Sequence, residues 1–146
     1  MMQSKVLNED HGQQTIALIF ETGDEVMSAL QNFASEKRLA GSQFTAIGAF
    51  QSVTLGYFDW EKKDYLQIPV EEQVEVVALI GDIAAGPKGQ PKVHAHVVVS
   101  KRDGTAMAGH LLKAHVRPTL ELILTESAAH LRRRHDAETG LALIRV

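Results

Sequence analysis

The chain has 146 residues, 45% of them hydrophobic and 23% charged, a composition typical of one soluble globular domain with a core of its own. Its formal net charge of −3 gives no overall basic field to attract nucleic acid, and the absence of cysteine excludes disulfides, thiolate metal sites and a cysteine nucleophile. No apolar signal segment opens the chain, and no run approaches the ~18 apolar residues that a membrane helix needs. We therefore expect a cytoplasmic protein, with a polar N-terminal segment over residues 1–14 and a single domain over residues 15–146.

The early part of the chain predicts one strand followed by one helix. Residues 15–20, TIALIF, form a short apolar run that is typical of a buried strand. Thr22 and Glu25 have the spacing of a capping box, in which two reciprocal hydrogen bonds open a helix. Gly41 supplies the stop signal. Between these signals, apolar residues recur at helical spacing: Val26, Leu30, Phe33 and Ala34.

The rest of the chain predicts β-structure. The segments SQFTAIGAF and SVTLGYFDW predict two strands around a tight connection. DYLQIPV and VEVVALIGDI predict two more, and Pro69 indicates an edge strand or a strand end. After the strand PKVHAHVVVS, Asp103 and Gly104 are a signal for a two-residue hairpin turn. TLELILTE and LALIRV predict the last strands. One early helix and many later strands indicate an α+β fold with a mostly antiparallel sheet.

The glycine-rich segment GDIAAGPKG has some features of a phosphate-binding loop. Gly81 and Gly86 have the required spacing, but Pro87 stands before Lys88 and no serine or threonine follows. Proline removes a backbone N–H where the phosphate would need a donor. The segment therefore indicates a loop between strands and not a nucleotide site.

Three histidines give the strongest functional signal. His94 and His96 are two residues apart in a valine-rich strand, so their side chains share one face, while Ala95 and Val97 point to the other. His110 follows across the hairpin. Three converging imidazoles can hold zinc and leave a fourth coordination position open. The alternative is that these histidines are hydrogen-bonded polar residues at a subunit interface or on a solvated face.

Two carboxylates are candidate partners for such a site. Glu75 and Glu121 lie on apolar strands, where an unpaired charge is costly, and either could accept a hydrogen bond from a ligand histidine. The other histidines lack comparable spacing, and no role is assigned to them: His115, His130 and His135.

A basic cluster and an aromatic cluster also stand out. The arginines could contact DNA phosphates, but acidic neighbours and the lack of interleaved aromatic residues favour a solvated or interface-pairing run of charge. This cluster consists of Arg132, Arg133 and Arg134. Most of the aromatic residues fall in one hairpin, where core or interface packing is favoured over ligand stacking. They are Tyr57, Phe58, Trp60 and Tyr65.

Taken together, these segments resemble the plants-and-prokaryotes conserved domain (PPC domain) over nearly the whole chain. The resemblance runs through ETGDEV, FTAIGAFQSVTLGYFD with Tyr65 after it, VEVVALIGDIA, PKVHAHVVVSKRDGTAMAGHLL and VRPTLELIL. The histidine segment is its most specific part. The resemblance implies an α+β domain with a curved antiparallel sheet and one principal helix, assembled as a homotrimer. It also implies a divalent metal site, with zinc at His94, His96 and His110.

For function, the resemblance implies a DNA-binding or regulatory protein, because bacterial members are described as candidate DNA-binding proteins by analogy with plant members. The plant proteins join this domain to AT-hook motifs, and this chain has none. Where plant members have Gly-Arg-Phe-Glu-Ile-Leu, residues 72–77 read EQVEVV, so only Glu75 is retained. The alternative is a small metal-dependent enzyme or small-ligand-binding protein that uses zinc-bound water at the same histidines.

Overall fold

The computed structural model describes residues 1–146. All nine strands belong to one sheet, in the order β1-β2-β7-β3-β5-β8-β9, with β4 paired to β3 and β6 paired to both β5 and β7. No helix combines the length and the apolar character that crossing a membrane requires. The elements in chain order are β1 (Gln3–Asp10), β2 (Gln13–Glu21), α1 (Val26–Lys37), β3 (Gly41–Asp59), β4 (Asp64–Val70), β5 (Val74–Ala85), β6 (Pro91–Ser100), β7 (Ala106–Glu126), β8 (Arg132–His135) and β9 (Ala142–Arg145).

The predicted α+β class is confirmed, and the sheet is mixed because β5 and β8 meet in parallel at Ala85 and Arg132. The other strand pairs are antiparallel. The two longest strands, β3 and β7, pair from Ser42–Glu126 to Gly56–His110 with three register shifts. Such irregularities bend a strand and increase its twist. The same bent sheet therefore packs against the helix and carries the three histidines.

The core lies between helix α1 and the inner face of the sheet. The four apolar residues predicted for the helix face are all buried, and so are alternate residues of β7. The apolar face of the helix and the inner face of the strand point toward each other. Helix α1 packs on β6 and β7. Fully buried side chains in this core include Phe20, Leu30, Phe50, Leu79, Leu111 and Leu122.

The N-terminal segment forms a strand that the sequence pattern does not predict. Strand β1 is exposed along its whole length and pairs antiparallel with β2. Backbone hydrogen bonds, not a buried face, hold it in place. Because it buries no side chain, it has none of the apolar alternation by which a strand is recognised in a sequence.

The capping-box prediction is wrong. Glu25 is the N-cap of α1, and its carboxylate accepts hydrogen bonds from the backbone N of Met27 at 3.1 Å and of Ser28 at 2.9 Å. Thr22 instead donates its hydroxyl hydrogen to the carbonyl oxygen of Pro118 at 3.3 Å. The Glu25 carboxylate also accepts a hydrogen bond from the backbone N of Ala114 at 3.2 Å, which ties the cap to β7. The cap therefore fixes the helix to the sheet as well as starting it.

Two other boundaries differ from the sequence prediction. The helix ends at Lys37, its C-cap Arg38 has the left-handed φ of 55°, and Gly41 begins β3. The two strands predicted over residues 42–60 are one continuous strand, β3, because its irregularities bend the chain without interrupting the pairing. The hairpin after β6 has a five-residue loop, residues 101–105, in which Gly104 takes a φ of 85°.

Replacing Glu25 with alanine is expected to lower the free energy of unfolding by about 1–2 kcal/mol at neutral pH, the usual cost of losing an N-cap. Burial opposes ionisation of Glu25, but its backbone hydrogen bonds outweigh burial and hold its pKa below the ordinary value of 4.5. A lowered carboxyl pKa stabilises the fold above the unfolded-state pKa, and this contribution is lost as the pH falls through the folded-state pKa. The difference between wild type and Glu25→Ala should therefore shrink below pH 4.5 in chemical denaturation. Glu36→Ala, an exposed change on the same helix, is the control and should show no such dependence.

Candidate metal centre

Strand pairing brings the three histidines together. His96 on β6 lies directly opposite His110 on β7, and His94 lies two residues earlier on the same face of β6. The opposite face of β6 is in the core, where Ala95 is 1% and Val97 is 2% exposed. The predicted division of this strand into an apolar face and a histidine face is therefore confirmed.

The imidazoles of these three residues form a close cluster. One ring nitrogen from each residue lies within 4.8 Å of the others. The Nε2 atoms of His94 and His96 are 3.2 Å apart. Two ligands that share a tetrahedral zinc with bonds of ~2.0–2.1 Å are separated by ~3.3 Å. The two β6 nitrogens thus already have the spacing of ligands to one cation.

The electrostatics favour neutral imidazoles at His96 and His110, the form that binds metal. Burial lowers the pKa of His110 to about 4, with further lowering by the nearby His94 and His96. Burial and the neighbouring His94 likewise lower the pKa of His96. The Nδ1 atom of His110 is buried and has no hydrogen-bond partner. An unsatisfied ring nitrogen on one of the three clustered histidines fits a site built to bind a cation.

Tyr65 on β4 contacts the cluster, a role that the sequence analysis did not assign. Its ring stacks on His110 with a centroid separation of 4.4 Å and an interplanar angle of 30°. Gly56 pairs with His110 across β3 and β7, and a Cβ at this position would lie 2.9 Å from the Tyr65 ring. The absence of a side chain at Gly56 therefore leaves room for Tyr65 to reach the histidine. Burial raises the pKa of Tyr65.

The other aromatic residues of this hairpin pack partly on one another. Phe58 makes edge-on contacts with Trp60 at 6.2 Å and with Tyr65 at 5.5 Å between ring centroids. Tyr57 and Trp60 remain 66% and 57% exposed. These two rings are therefore not in the core, and interface packing, the other half of the prediction, stays a prediction for them.

Asp82 is a second residue whose position the sequence analysis missed. It lies on β5 directly opposite His94, and its Oδ2 atom is 3.8 Å from His94 Nδ1. Its Oδ1 atom accepts a hydrogen bond from Nη2 of Arg133 on β8. Burial alone would raise the pKa of Asp82, but His94 and Arg133 outweigh it and the net pKa is lowered. Asp82 lies where the predicted strand VEVVALIGDI overlaps the segment interpreted as a loop, and residues 81–85 of that segment are in β5.

The remaining predicted site residues lie elsewhere. Glu75 and Glu121 are exposed and line a separate groove beside Gly48, away from the grooves that the histidines line. Arg133 is 9% exposed, whereas its neighbours Arg132 and Arg134 are exposed. The three arginines therefore do not form one basic patch, because alternation along β8 sends them to different faces.

Two open grooves meet at the histidines. The first, which we call the Asp82 groove, has a volume of about 500 Å³ and includes Gln43, Thr45, Ile80, Asp82, His94 and His96. The second, the aromatic groove, has a volume of about 520 Å³ and includes Tyr57, Phe58, Tyr65, Val98, His96 and His110. A small molecule could reach the imidazoles from either groove, and more of the lining residues are polar in the first groove than in the second.

A three-histidine cluster on one bent, mostly antiparallel sheet with a single helix thus defines the class of this protein. The chain belongs to the Plants and Prokaryotes Conserved (PCC or PPC) domain family, whose sequence profile matches residues 7–128. The resemblance stated from the sequence is confirmed. Strands β8 and β9, with Arg133, lie beyond the matched region. No curated protein sequence matches the chain.

Several solved structures share the fold over nearly the whole chain. A candidate DNA-binding protein from Bacteroides thetaiotaomicron is 25% identical with a TM-score of 0.84, covering 97% of this chain and 96% of that one. A PPC protein from Pyrococcus horikoshii is 28% identical with a TM-score of 0.83, covering 99% and 95%. A metal-containing protein from Archaeoglobus fulgidus is 29% identical with a TM-score of 0.81, covering 100% and 99%.

Proposed function

We propose that this chain is a metal-binding PPC-domain protein in which His94, His96 and His110 hold one divalent cation and a small ligand binds beside it. The observation that carries the proposal is the convergence of three imidazole nitrogens within 4.8 Å. The lowered pKa values of His96 and His110 support it, because neutral rings need not lose a proton before they bind a cation. The Archaeoglobus relative, described as metal-containing, supports it independently.

Zinc is the cation that these ligands suit best. Imidazole nitrogen is a favoured ligand of zinc, and three protein ligands leave one position for an external donor. A bound zinc supplies Lewis acidity at that position. The chain's own residues supply the rest of the site: Tyr65 holds the His110 ring by stacking, and the Asp82 and aromatic grooves admit the ligand. A small molecule with an oxygen donor and an apolar body fits these surroundings, either as a bound regulator or as a substrate.

We also propose that the protein assembles as a homotrimer. The family resemblance implies this state, and the surface of the sheet supports it. Large aliphatic side chains are exposed on four strands of the sheet, and Ile80 and Ile123 both pair across β3 with Thr45. Monomeric proteins rarely leave large apolar patches uncovered. The exposed residues are Ile19, Ile47, Val77, Ile80 and Ile123.

DNA binding is the second candidate function. The observation that favours it is that the Bacteroides relative and a Ralstonia eutropha relative are both described as candidate DNA-binding proteins. The charge of this chain argues against tight binding, since its net charge is −3 and Arg133 is already engaged by Asp82. Arg132 and Arg134 remain exposed and could contact phosphates.

A zinc titration tests the metal proposal. The purified protein is first stripped with a chelator and then titrated with zinc against a coloured competitor of known affinity. We expect one zinc per chain, bound tightly enough to withdraw the ion from the competitor. A chain that leaves all the zinc with the competitor would contradict the proposal.

For duplex DNA, we expect only weak binding, with a dissociation constant of about 1 μM or weaker at physiological salt and a steep loss of affinity as salt rises. Fluorescence anisotropy with labelled duplexes of several sequences measures this. Arg132→Gln combined with Arg134→Gln should weaken the remaining binding equally on every sequence. Tight binding to one sequence over the others would favour the DNA-binding function instead.

A further inference from the structure

We propose that Asp82 and Arg133 position the His94 imidazole for metal binding, so that the C-terminal hairpin β8–β9 tunes the metal affinity of the three-histidine site. The inference rests on the proposed metal site and deepens it. It assigns a role to residues that the sequence analysis did not associate with the histidines, one of which lies beyond the region shared with the family profile.

The orientation of the His94 ring carries the inference. Its Nε2 atom is 3.2 Å from His96 Nε2, inside the cluster. Its Nδ1 atom is turned the other way, 3.8 Å from Asp82 Oδ2. A carboxylate on the nitrogen opposite the metal fixes both the tautomer and the angle of a ligand histidine. The distance between these two atoms exceeds that of a hydrogen bond, so the contact is electrostatic.

Arg133 holds the Asp82 carboxylate in that position. Its Nη2 atom donates to Asp82 Oδ1, and its Nη1 atom donates to the carbonyl oxygen of Ala142 on β9 at 3.1 Å. The side chain of Arg133 is only 10% exposed, so the guanidinium has little freedom to move. A continuous chain of contacts therefore runs from β9 through Arg133 and Asp82 to His94.

The hydrogen-bond geometry of the Asp82–Arg133 pair indicates that Asp82 also interacts with His94. A carboxylate and a guanidinium that serve only each other commonly form two parallel hydrogen bonds. Here Asp82 gives one oxygen to Arg133 and turns the other toward His94, while Nε of Arg133 is buried without a partner. The second bond of the pair is missing because the second oxygen faces the histidine.

The test measures zinc affinity by chelator competition on proteins whose folding is verified by circular dichroism. Asp82→Asn keeps the size of the side chain and removes its charge, and we expect it to weaken zinc binding about 10–100-fold, as other changes behind ligand histidines do. Arg133→Gln should weaken binding in the same direction, and Arg133→Lys should recover part of the loss. Adding Arg133→Gln to Asp82→Asn should cause no further loss, because Arg133 acts through Asp82.

Two variants control for general loosening of the hairpin. Arg134→Gln changes an exposed arginine on the same strand, and Arg145→Gln removes the hairpin's own ion pair with Asp136 at 3.1 Å. Both should bind zinc as wild type does. If folded Asp82→Asn protein keeps the zinc affinity of wild type, the inference about Asp82 and Arg133 is overturned but the metal site is not. The same holds if Arg145→Gln lowers zinc affinity as much as Arg133→Gln does. A wild-type chain that binds no zinc would overturn both this inference and the proposed metal site.

Discussion

Replacing any one of His94, His96 and His110 with alanine is expected to lower zinc affinity by at least about 100-fold, more than changes behind the ligands do. Two imidazoles cannot enclose the cation, and the lost ligand would be replaced by water. The same competition titration measures the effect. Metal content after identical purification should fall in parallel for all three variants.

His115→Ala is the matched control, because His115 lies on β7 like His110 but is not part of the cluster. Its zinc affinity should equal that of wild type. Since His110 also stacks on Tyr65, His110→Asn is a milder second variant that separates lost ligation from lost packing. Removing zinc from wild type should leave the chain folded, because a core of 27 buried residues does not need a metal in order to form. The unfolding midpoint should fall only by the amount that the free energy of zinc binding contributes. Retention of full zinc affinity by two of the three alanine variants would show that the cluster is not the site.

We expect the protein to be a trimer in solution. Light scattering at micromolar concentration should give a mass three times the 16.0 kDa of one chain. Introducing a charge into the exposed apolar surface, as in Ile47→Lys or Ile123→Lys, should release single chains, because the buried lysine would have no partner. Glu36→Lys adds a lysine on the helix instead and should leave the trimer intact.

A wild-type mass of one chain throughout the micromolar range would contradict the trimer. A trimer that survives both isoleucine changes would show that another surface forms the interface. Zinc binding by the wild type can be measured under either outcome, because the three histidines cluster within one chain.

The local part of the fold could be predicted from the sequence because it follows short periodic patterns. The spacing of apolar residues gave the buried face of α1, and alternation along β6 placed His94 and His96 on one face. Pro69 correctly indicated an edge, since β4 pairs with β3 alone. In each case the signal lies within a few residues.

The contacts around the histidines could not be predicted, because they depend on register between distant strands. Asp82 and Arg133 are 51 residues apart in the chain and meet only because β8 pairs with Ala85, the last residue of β5. Tyr65 reaches His110 across β3 only because Gly56 leaves space for its ring. No local sequence pattern predicts either contact, and a shift of one residue in strand register would send these side chains to the opposite face.

Register also explains why the predicted carboxylates do not meet the histidines. Glu75 and Glu121 are both charged residues on apolar strands. This pattern shows that the position is unusual but does not show which residue of the neighbouring strand lies opposite. Glu75 pairs with Ser100, six residues from His94 along β6, and Glu121 pairs with Ile47 on β3. Asp82 takes the place expected for them because it is the residue that β5 brings opposite His94.

The central claim, that three histidines of one chain hold a metal, is tested most directly by X-ray absorption at the zinc edge of the reconstituted protein. We expect the zinc to have three imidazole nitrogens at ~2.0–2.1 Å and one further light-atom donor. The His96→Ala protein, loaded at the same zinc concentration, should lose imidazole scattering. A wild-type spectrum with only oxygen donors, or one unchanged in His96→Ala, would show that the three histidines do not hold the metal.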